Sequence, residues 1–213
     1  MIFHQIDAGG DRNFAYLMAD EDGGRAALFD PPADSERYLS LVAKHGLTVD
    51  YIILTHGHAD HTLGVDQARR QTQARVVAHP RNPVGADVRV VDGDTLVLGS
   101  LTLKFFYTPG HSDDSICVLG EDKLITGDTL FVGKVGGTDY GENARKEYDS
   151  LHQKLMILED DIEVYPGHNF GVKPSSTIGH ERNTNPFLLG KSFEDFVHLK
   201  KNWLQYKKEH GID

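Results

Sequence analysis

Four times along this chain a short apolar run stops at a tight turn that presents a histidine or an aspartate, and this recurrence constrains the fold more than any other feature. Tyr51-Ile52-Ile53-Leu54 ends at Thr55-His56-Gly57-His58-Ala59-Asp60-His61. Residues 101–107 run into Thr108-Pro109-Gly110-His111, residues 123–125 into Thr126-Gly127-Asp128-Thr129, and residues 162–165 into Pro166-Gly167-His168. Runs this short, rich in β-branched and aromatic residues, read as strands. Glycine immediately before His111, Asp128 and His168 lets the backbone turn sharply and aims each side chain into a cleft shared by the strand ends.

Helical patterns separate the strands. Residues 35–45, with Tyr38, Leu39, Leu41 and Val42, form a helix that stops at Gly46, and residues 63–73 form another with Thr62 as its cap. Strands are expected over 14–18, 26–29 and 75–78, then in succession over 88–91, 96–98, 115–119 and 123–125. Helix returns over 145–158, and an amphipathic helix over about 193–210 closes the chain, packed through Phe193, Phe196, Val197, Trp203 and Leu204. With no repeat and no linker, residues 1–213 read as one α/β (α+β) sandwich.

Composition narrows the function. Twenty-two basic against 32 acidic residues leave a formal charge of −10, which repels nucleic-acid phosphates and anionic lipid. Neither nucleic acid nor membrane is therefore expected as a partner. The N-terminus MIFHQIDAGG lacks a basic region followed by a long apolar stretch, and a cytoplasmic location is expected. A lone Cys117, in a strand pattern, reads as a buried inert thiol and rules out an intrachain disulfide and a CxxC zinc site. Histidine and carboxylate remain as the metal ligands.

The pattern H-x-H-x-D-H arises by chance in roughly four of a thousand chains of this composition, so His56, His58, Asp60 and His61 read as ligands in their own right. In extended backbone, residues two apart point the same way; His56 and His58 can hold one ion while the turn brings Asp60 and His61 to a second. A single histidine after a glycine is usually an ordinary turn residue, but His111, Asp128 and His168 share one local form and support one another. Seven side chains suffice for two ions with a bridging carboxylate, and zinc, iron and manganese all suit them. His4, His45, His79, His152, His180, His198 and His210 lack such a setting. Asp30, at the end of an apolar strand, either steadies the metal loop or caps a turn.

These stretches, THGHADH, TPGH, GDTLF and YPGH in that order, resemble the metallo-β-lactamase superfamily over nearly the whole chain. The resemblance implies a four-layer αβ/βα sandwich with the metal cleft along the edge of two facing sheets. Gly136-Gly137-Thr138-Asp139-Tyr140, the helix with Ser150-Leu151-His152, and Glu181-Arg182-Asn183-Thr184-Asn185-Pro186 are similar to the glyoxalase II and persulfide dioxygenase branch. A glyoxalase II-like enzyme would bind one ion through His56, His58 and His111 and a second through Asp60, His61 and His168, with Asp128 bridging and Asp60 and Asp128 as its catalytic carboxylates. A metal-bound hydroxide would then cleave the thioester of a small thiol. A persulfide dioxygenase-like enzyme would instead hold one Fe(II) through His56, His111 and Asp128, and TPGHSD and ERNTNP lean this way. An inactive metal-binding module is the third reading.

The resemblance implies substrate contacts at Lys134, Tyr140, Arg145 and Phe170, with two departures. Gly137 stands where dioxygenases tend to have arginine, and Phe170 where glyoxalase II relatives commonly have tyrosine. Glutathione, coenzyme A and other small thiols all stay open as carriers, as do the native metal, the acyl group and the oligomeric state. Lys200, Lys201, Lys207 and Lys208 read as a solvated face, with an anionic carrier as their alternative partner.

Overall fold

Strands that are apolar at successive positions need cover on both faces, and this chain provides it with two sheets placed face to face and helices outside each. The computed structural model describes residues 1–212. The first sheet has six strands in sequential order: β1 (Ile2–Gly9), β2 (Asn13–Ala19), β3 (Arg25–Phe29), β4 (Thr48–Ile53), β5 (Arg75–Ala78) and β6 (Val88–Arg89). β1, β2 and β3 pair antiparallel, whereas β3 to β6 are parallel. Parallel neighbours require crossovers, supplied by α1 (Glu36–His45) and by α2 (Ala59–Thr62) with α3 (Val65–Thr72).

The second sheet continues with β7 (Thr95–Leu98), β8 (Leu101–Tyr107), β9 (Ile116–Gly120) and β10 (Lys123–Gly127). A small hairpin, β11 (Leu130–Phe131) and β12 (Lys134–Val135), then leads into α4 (Glu142–Ser150) before β13 (Glu163–Pro166) and β14 (Ser176–Thr177) complete the sheet in the order β14-β13-β10-β9-β8-β7. Its outer face is covered by α4, α5 (Ile178–Thr184), α6 (Pro186–Leu189), α7 (Phe193–Lys201) and α8 (Trp203–His210).

Side-chain alternation divides the interior into three apolar layers. On β2, Ala15, Leu17 and Ala19 face α1 and α3, while Tyr16 and Met18 face the opposite sheet. Leu103, Phe105, Val118 and Ile125 meet them there. Cys117, Leu124 and Phe106 turn outward onto the C-terminal helices with Leu151, Leu155 and Phe196. Cys117 is fully buried, and burial raises its thiol to about 11, an inert group as expected. The four-layer αβ/βα sandwich is thus realised.

Several local expectations are corrected. The closing helix of 193–210 is two helices, broken at Asn202: α7 buries Phe196, whereas α8 buries nothing and touches the body through Trp203 on Phe187, ring centres 4.8 Å apart. The helix expected over 145–158 starts earlier, because Asp139 accepts the Gly141 and Asn143 amides, and it relaxes after Ser150 into a π-helical turn, Leu151–Leu155, that buries both leucines. Thr62 does not cap α3. Its hydroxyl donates to the His58 carbonyl, and α3 begins after Gly64, which lies too close to the Pro31 and Pro32 carbonyls for any side chain. β1, α5 and α6 carried no strong sequence signal.

Candidate metal centre

All four ligand-bearing turns reach the same edge of the sandwich. β4 delivers His56, His58, Asp60 and His61; β8 leads to His111; the parallel pair β10 and β13 presents Asp128 and His168 side by side. Gly127 turns at φ 49° with Thr55 against it, and a Cβ on Gly167 would lie 2.3 Å from Asp128 Oδ1. Only glycine permits both the turn and this approach.

Each of four histidines is oriented by a partner on its Nδ1. Asp30 accepts the Thr55 amide at 2.8 Å and the Thr55 hydroxyl at 2.6 Å, and the same hydroxyl lies 3.1 Å from His56 Nδ1 and accepts from it. His61 Nδ1 donates to Asp30 Oδ2 at 2.9 Å, His111 Nδ1 to the Gly137 carbonyl at 3.0 Å, and His168 Nδ1 to the Asp11 carbonyl at 2.9 Å. The Nε2 atoms therefore face inward. His58 is reversed, its Nδ1 lying 3.0 Å from His56 Nε2 and 3.0 Å from His111 Nε2. Asp30, which the sequence left between two roles, both braces the turn and orients His61.

Ligand atoms gather into three overlapping groups, each within 4.8 Å: His56, His58 and His111; His56, His61 and Asp128; Asp60, His61 and His168. Asp128 spans them, with one oxygen 3.4 Å from His61 Nε2 and the other 3.5 Å from His111 Nε2 and 3.3 Å from His168 Nε2. Asp128 Oδ1 is buried and makes no hydrogen bond. Such an orphaned carboxylate oxygen among converging imidazoles fits a divalent cation.

The electrostatics divide the cluster. Burial pushes His56 well below the usual histidine range, helped by the charge on His61, and burial also lowers His111. His61 goes the other way: the Asp30 carboxylate outweighs burial and raises it to about 9. His168 is raised by Asp128 against burial, and Asp128 is held far below the carboxylate range by the His168, His61 and His56 side chains despite burial. Asp60 stays low against burial, through Asn13 Nδ2 at 2.9 Å and the charge of His61. Asn13 is buried and nothing in its sequence neighbourhood marks it.

Beside His168 opens a cavity of about 790 Å³ whose wall includes Arg12, Lys134, Phe170, Trp203 and Lys207. Phe170 stacks on His168 with ring centres 4.6 Å apart, and the Arg12 and Lys134 cations each lie 4.8 Å from the Phe170 ring centre. Burial lowers Lys134, and Lys207, Arg12 and Lys200 lower it further. The ERNTNP stretch holds this wall: Glu181 Oε2 accepts from the Gly133 amide at 2.8 Å, and Asn185 Nδ2 donates to the Lys134 carbonyl at 3.2 Å.

Of the substrate residues expected, Lys134 and Phe170 line this cavity and Tyr140 a smaller one adjoining it. Arg145 lies elsewhere, 3.7 Å above the Phe193 ring. The reading of four lysines as a solvated face is corrected for two of them. Lys200 is buried against Glu147, and Lys207 is on the cavity wall. Arg12 and Lys207 enter only through the fold, since 195 residues separate them.

Residues 8–168 match the metallo-β-lactamase superfamily. The chain is 33% identical to the hydroxyacylglutathione hydrolase of Anaeromyxobacter dehalogenans (strain 2CP-C), over 88% of this chain and 86% of that protein. It is 32% identical to the mitochondrial persulfide dioxygenase ETHE1 of Homo sapiens, over 94% of this chain and 80% of that one. The solved structure of ETHE1 from Myxococcus xanthus superposes with a TM-score of 0.89 at 39% identity, covering 95% of this chain and 91% of that chain. With the histidine and aspartate cluster on the edge of a four-layer sandwich, these likenesses establish that the chain belongs to the metallo-β-lactamase superfamily, in the branch that holds glyoxalase II and ETHE1.

Proposed function

We propose that the chain is a dinuclear metallohydrolase that cleaves the thioester of a small anionic thiol. The orientation of His58 carries this reading: its Nδ1 meets the Nε2 atoms of His56 and His111, each at 3.0 Å, as a third ligand would. His56, His58 and His111 would hold one ion, Asp60, His61 and His168 the other, with Asp128 between them. When bound, zinc or iron, with manganese a further candidate, would supply an acidified water and polarise the thioester carbonyl.

The chain's own side chains do the rest. Asp30 and the Asp11 and Gly137 carbonyls fix the imidazole orientations, so the ligands need not reorganise during turnover. Asp60, kept ionised by Asn13 and His61, faces the cleft without donating a proton. A thiolate leaves readily without a strong general acid. Arg12, Lys134 and Lys207 supply positive charge where an anionic carrier would lie, and Phe170 offers it an apolar wall. Glutathione is the first carrier to test, since one relative is named for it.

A second reading, a mononuclear Fe(II) persulfide dioxygenase, is favoured by the likeness to the Myxococcus xanthus ETHE1 and by Asp128 Oδ2 lying 3.5 Å from His111 Nε2. Metal content of anaerobically purified protein, followed by oxygen uptake with glutathione persulfide and by hydrolysis of a hydroxyacylglutathione, separates the two. About two ions and thioester cleavage without oxygen uptake support the hydrolase. One iron with rapid oxygen uptake overturns it.

A further inference from the structure

Directly behind His111 lies a buried ion pair that no expectation anticipated. Glu147, on α4, is completely buried, and Lys200, on α7, keeps only 6% of its side chain exposed; Nζ lies 2.5 Å from Oε2. The same ammonium donates to the Gly136 carbonyl at 2.6 Å. The next residue in the chain, Gly137, offers the carbonyl that accepts from His111 Nδ1 at 3.0 Å.

Packing makes this connection tight. A Cβ on Gly110, the residue before His111, would lie 2.3 Å from Glu147 Cβ. One on Gly136 would lie 2.8 Å from Glu147 Oε1 and 2.9 Å from His111 Cβ. Ser150, one turn along α4 from Glu147, donates to the Pro109 carbonyl at 2.9 Å. The turn carrying His111 and the loop carrying Gly136 and Gly137 are thus wedged against one another over Glu147. Beyond the ion pair, neither Glu147 oxygen has a hydrogen-bond partner. A buried pair with so few supporting bonds contributes little net stability, and apolar residues of similar size would serve packing as well or better. What apolar residues could not do is supply a donor to the Gly136 carbonyl.

We propose that Lys200, held by Glu147, is a positioning residue through which the C-terminal helices set the orientation of His111 and so complete the His56, His58 and His111 metal position. Glu147 anchors the ammonium, the ammonium fixes the peptide at Gly136, and that peptide presents the Gly137 carbonyl to His111 Nδ1. This rests on the reading of those three histidines as one ion site, and the test separates the two ideas.

Zinc alone is titrated into the full-length, metal-free protein in competition with a chromophoric chelator, with His111→Ala identifying which equivalent belongs to the three-histidine position. Melting temperature is followed in parallel. Lys200→Met weakens the three-histidine position by about tenfold or more and leaves the Asp60, His61 and His168 position within about twofold. Glu147→Gln, which keeps an acceptor for the ammonium, retains both affinities. The double variant Glu147→Leu with Lys200→Met removes the unpaired buried charge, so its melting temperature returns to that of the parent while the weakened position stays weak. Recovery of both melting temperature and zinc affinity in the double variant would overturn the proposal, since the pair would then serve packing alone. Equal weakening of both positions by Lys200→Met would do the same. A parent protein that takes up no zinc at the three-histidine position would instead remove the metal reading beneath it.

Discussion

His58 Nδ1 and His111 Nε2 stand 3.0 Å apart although 53 residues separate them in the chain, and they come from turns that follow strands of different sheets. Two imidazole nitrogens at this distance share one proton or one cation. His58→Ala is accordingly expected to abolish thioester hydrolysis, by about a hundredfold or more, and to release one of two zinc equivalents. Elemental analysis and a hydroxyacylglutathione assay on the variant check both. In a mononuclear iron enzyme held by His56, His111 and Asp128, His58 would be a bystander and activity would persist.

Asp30 touches no ion position yet orients His61 directly and His56 through the Thr55 hydroxyl, so Asp30→Asn should weaken the Asp60, His61 and His168 position by about 10- to 100-fold and the His56, His58 and His111 position by less. Asp30→Ala should in addition cost about 1–3 kcal/mol of stability, because the buried Thr55 amide and hydroxyl lose their acceptor. Zinc competition and denaturant unfolding of the metal-free variants read the two effects separately.

The two ion positions should also load with different pH dependence. His61, raised to about 9, holds a proton in the metal-free protein at neutral pH that a cation must displace, and the Asp128 carboxylate raises His168 in the same direction against burial. Affinity at that position therefore climbs as pH rises from 6 toward 9. Burial lowers His56 and His111, so protons compete less with a cation for those two imidazoles than for His61 over the same range. Calorimetric titration in buffers of different ionisation enthalpy, repeated at several pH values, counts the protons released with each equivalent.

Arg12→Ala and Lys134→Ala should each raise KM for an anionic thioester by about three- to tenfold and change kcat little, since both line the cavity and neither orients a ligand. Raising the salt concentration should raise the parent KM in the same direction. A drop in kcat with KM unchanged would place these side chains at the reacting bond instead.

Much of this site was legible because its ligands lie in short segments where strand, glycine and ligand are adjacent in sequence. The same local logic exposed the sandwich: runs such as residues 51–54 are apolar on both faces, and only a layered fold covers them. What escaped is what the chain brings together over long separations. Asn13 reaches Asp60 across 47 residues, Arg12 and Lys207 meet at one cavity, and Lys200 finds Glu147 from the far end of the chain. Charge patterning on the last helices suggested water around those lysines; tertiary packing decided otherwise. Arg145 illustrates the converse, since proximity in sequence to the site loop did not bring it there.

Neither ion position can be completed within one sheet's share of the chain. Four of the seven side chains follow β4, while His111, Asp128 and His168 follow strands of the other sheet, and each position draws on both. A molecule whose halves docked one residue out of step would present its imidazoles to empty space. Taking up two ions would then serve as an inspection of assembly, passed only by chains whose two halves have met in the right alignment.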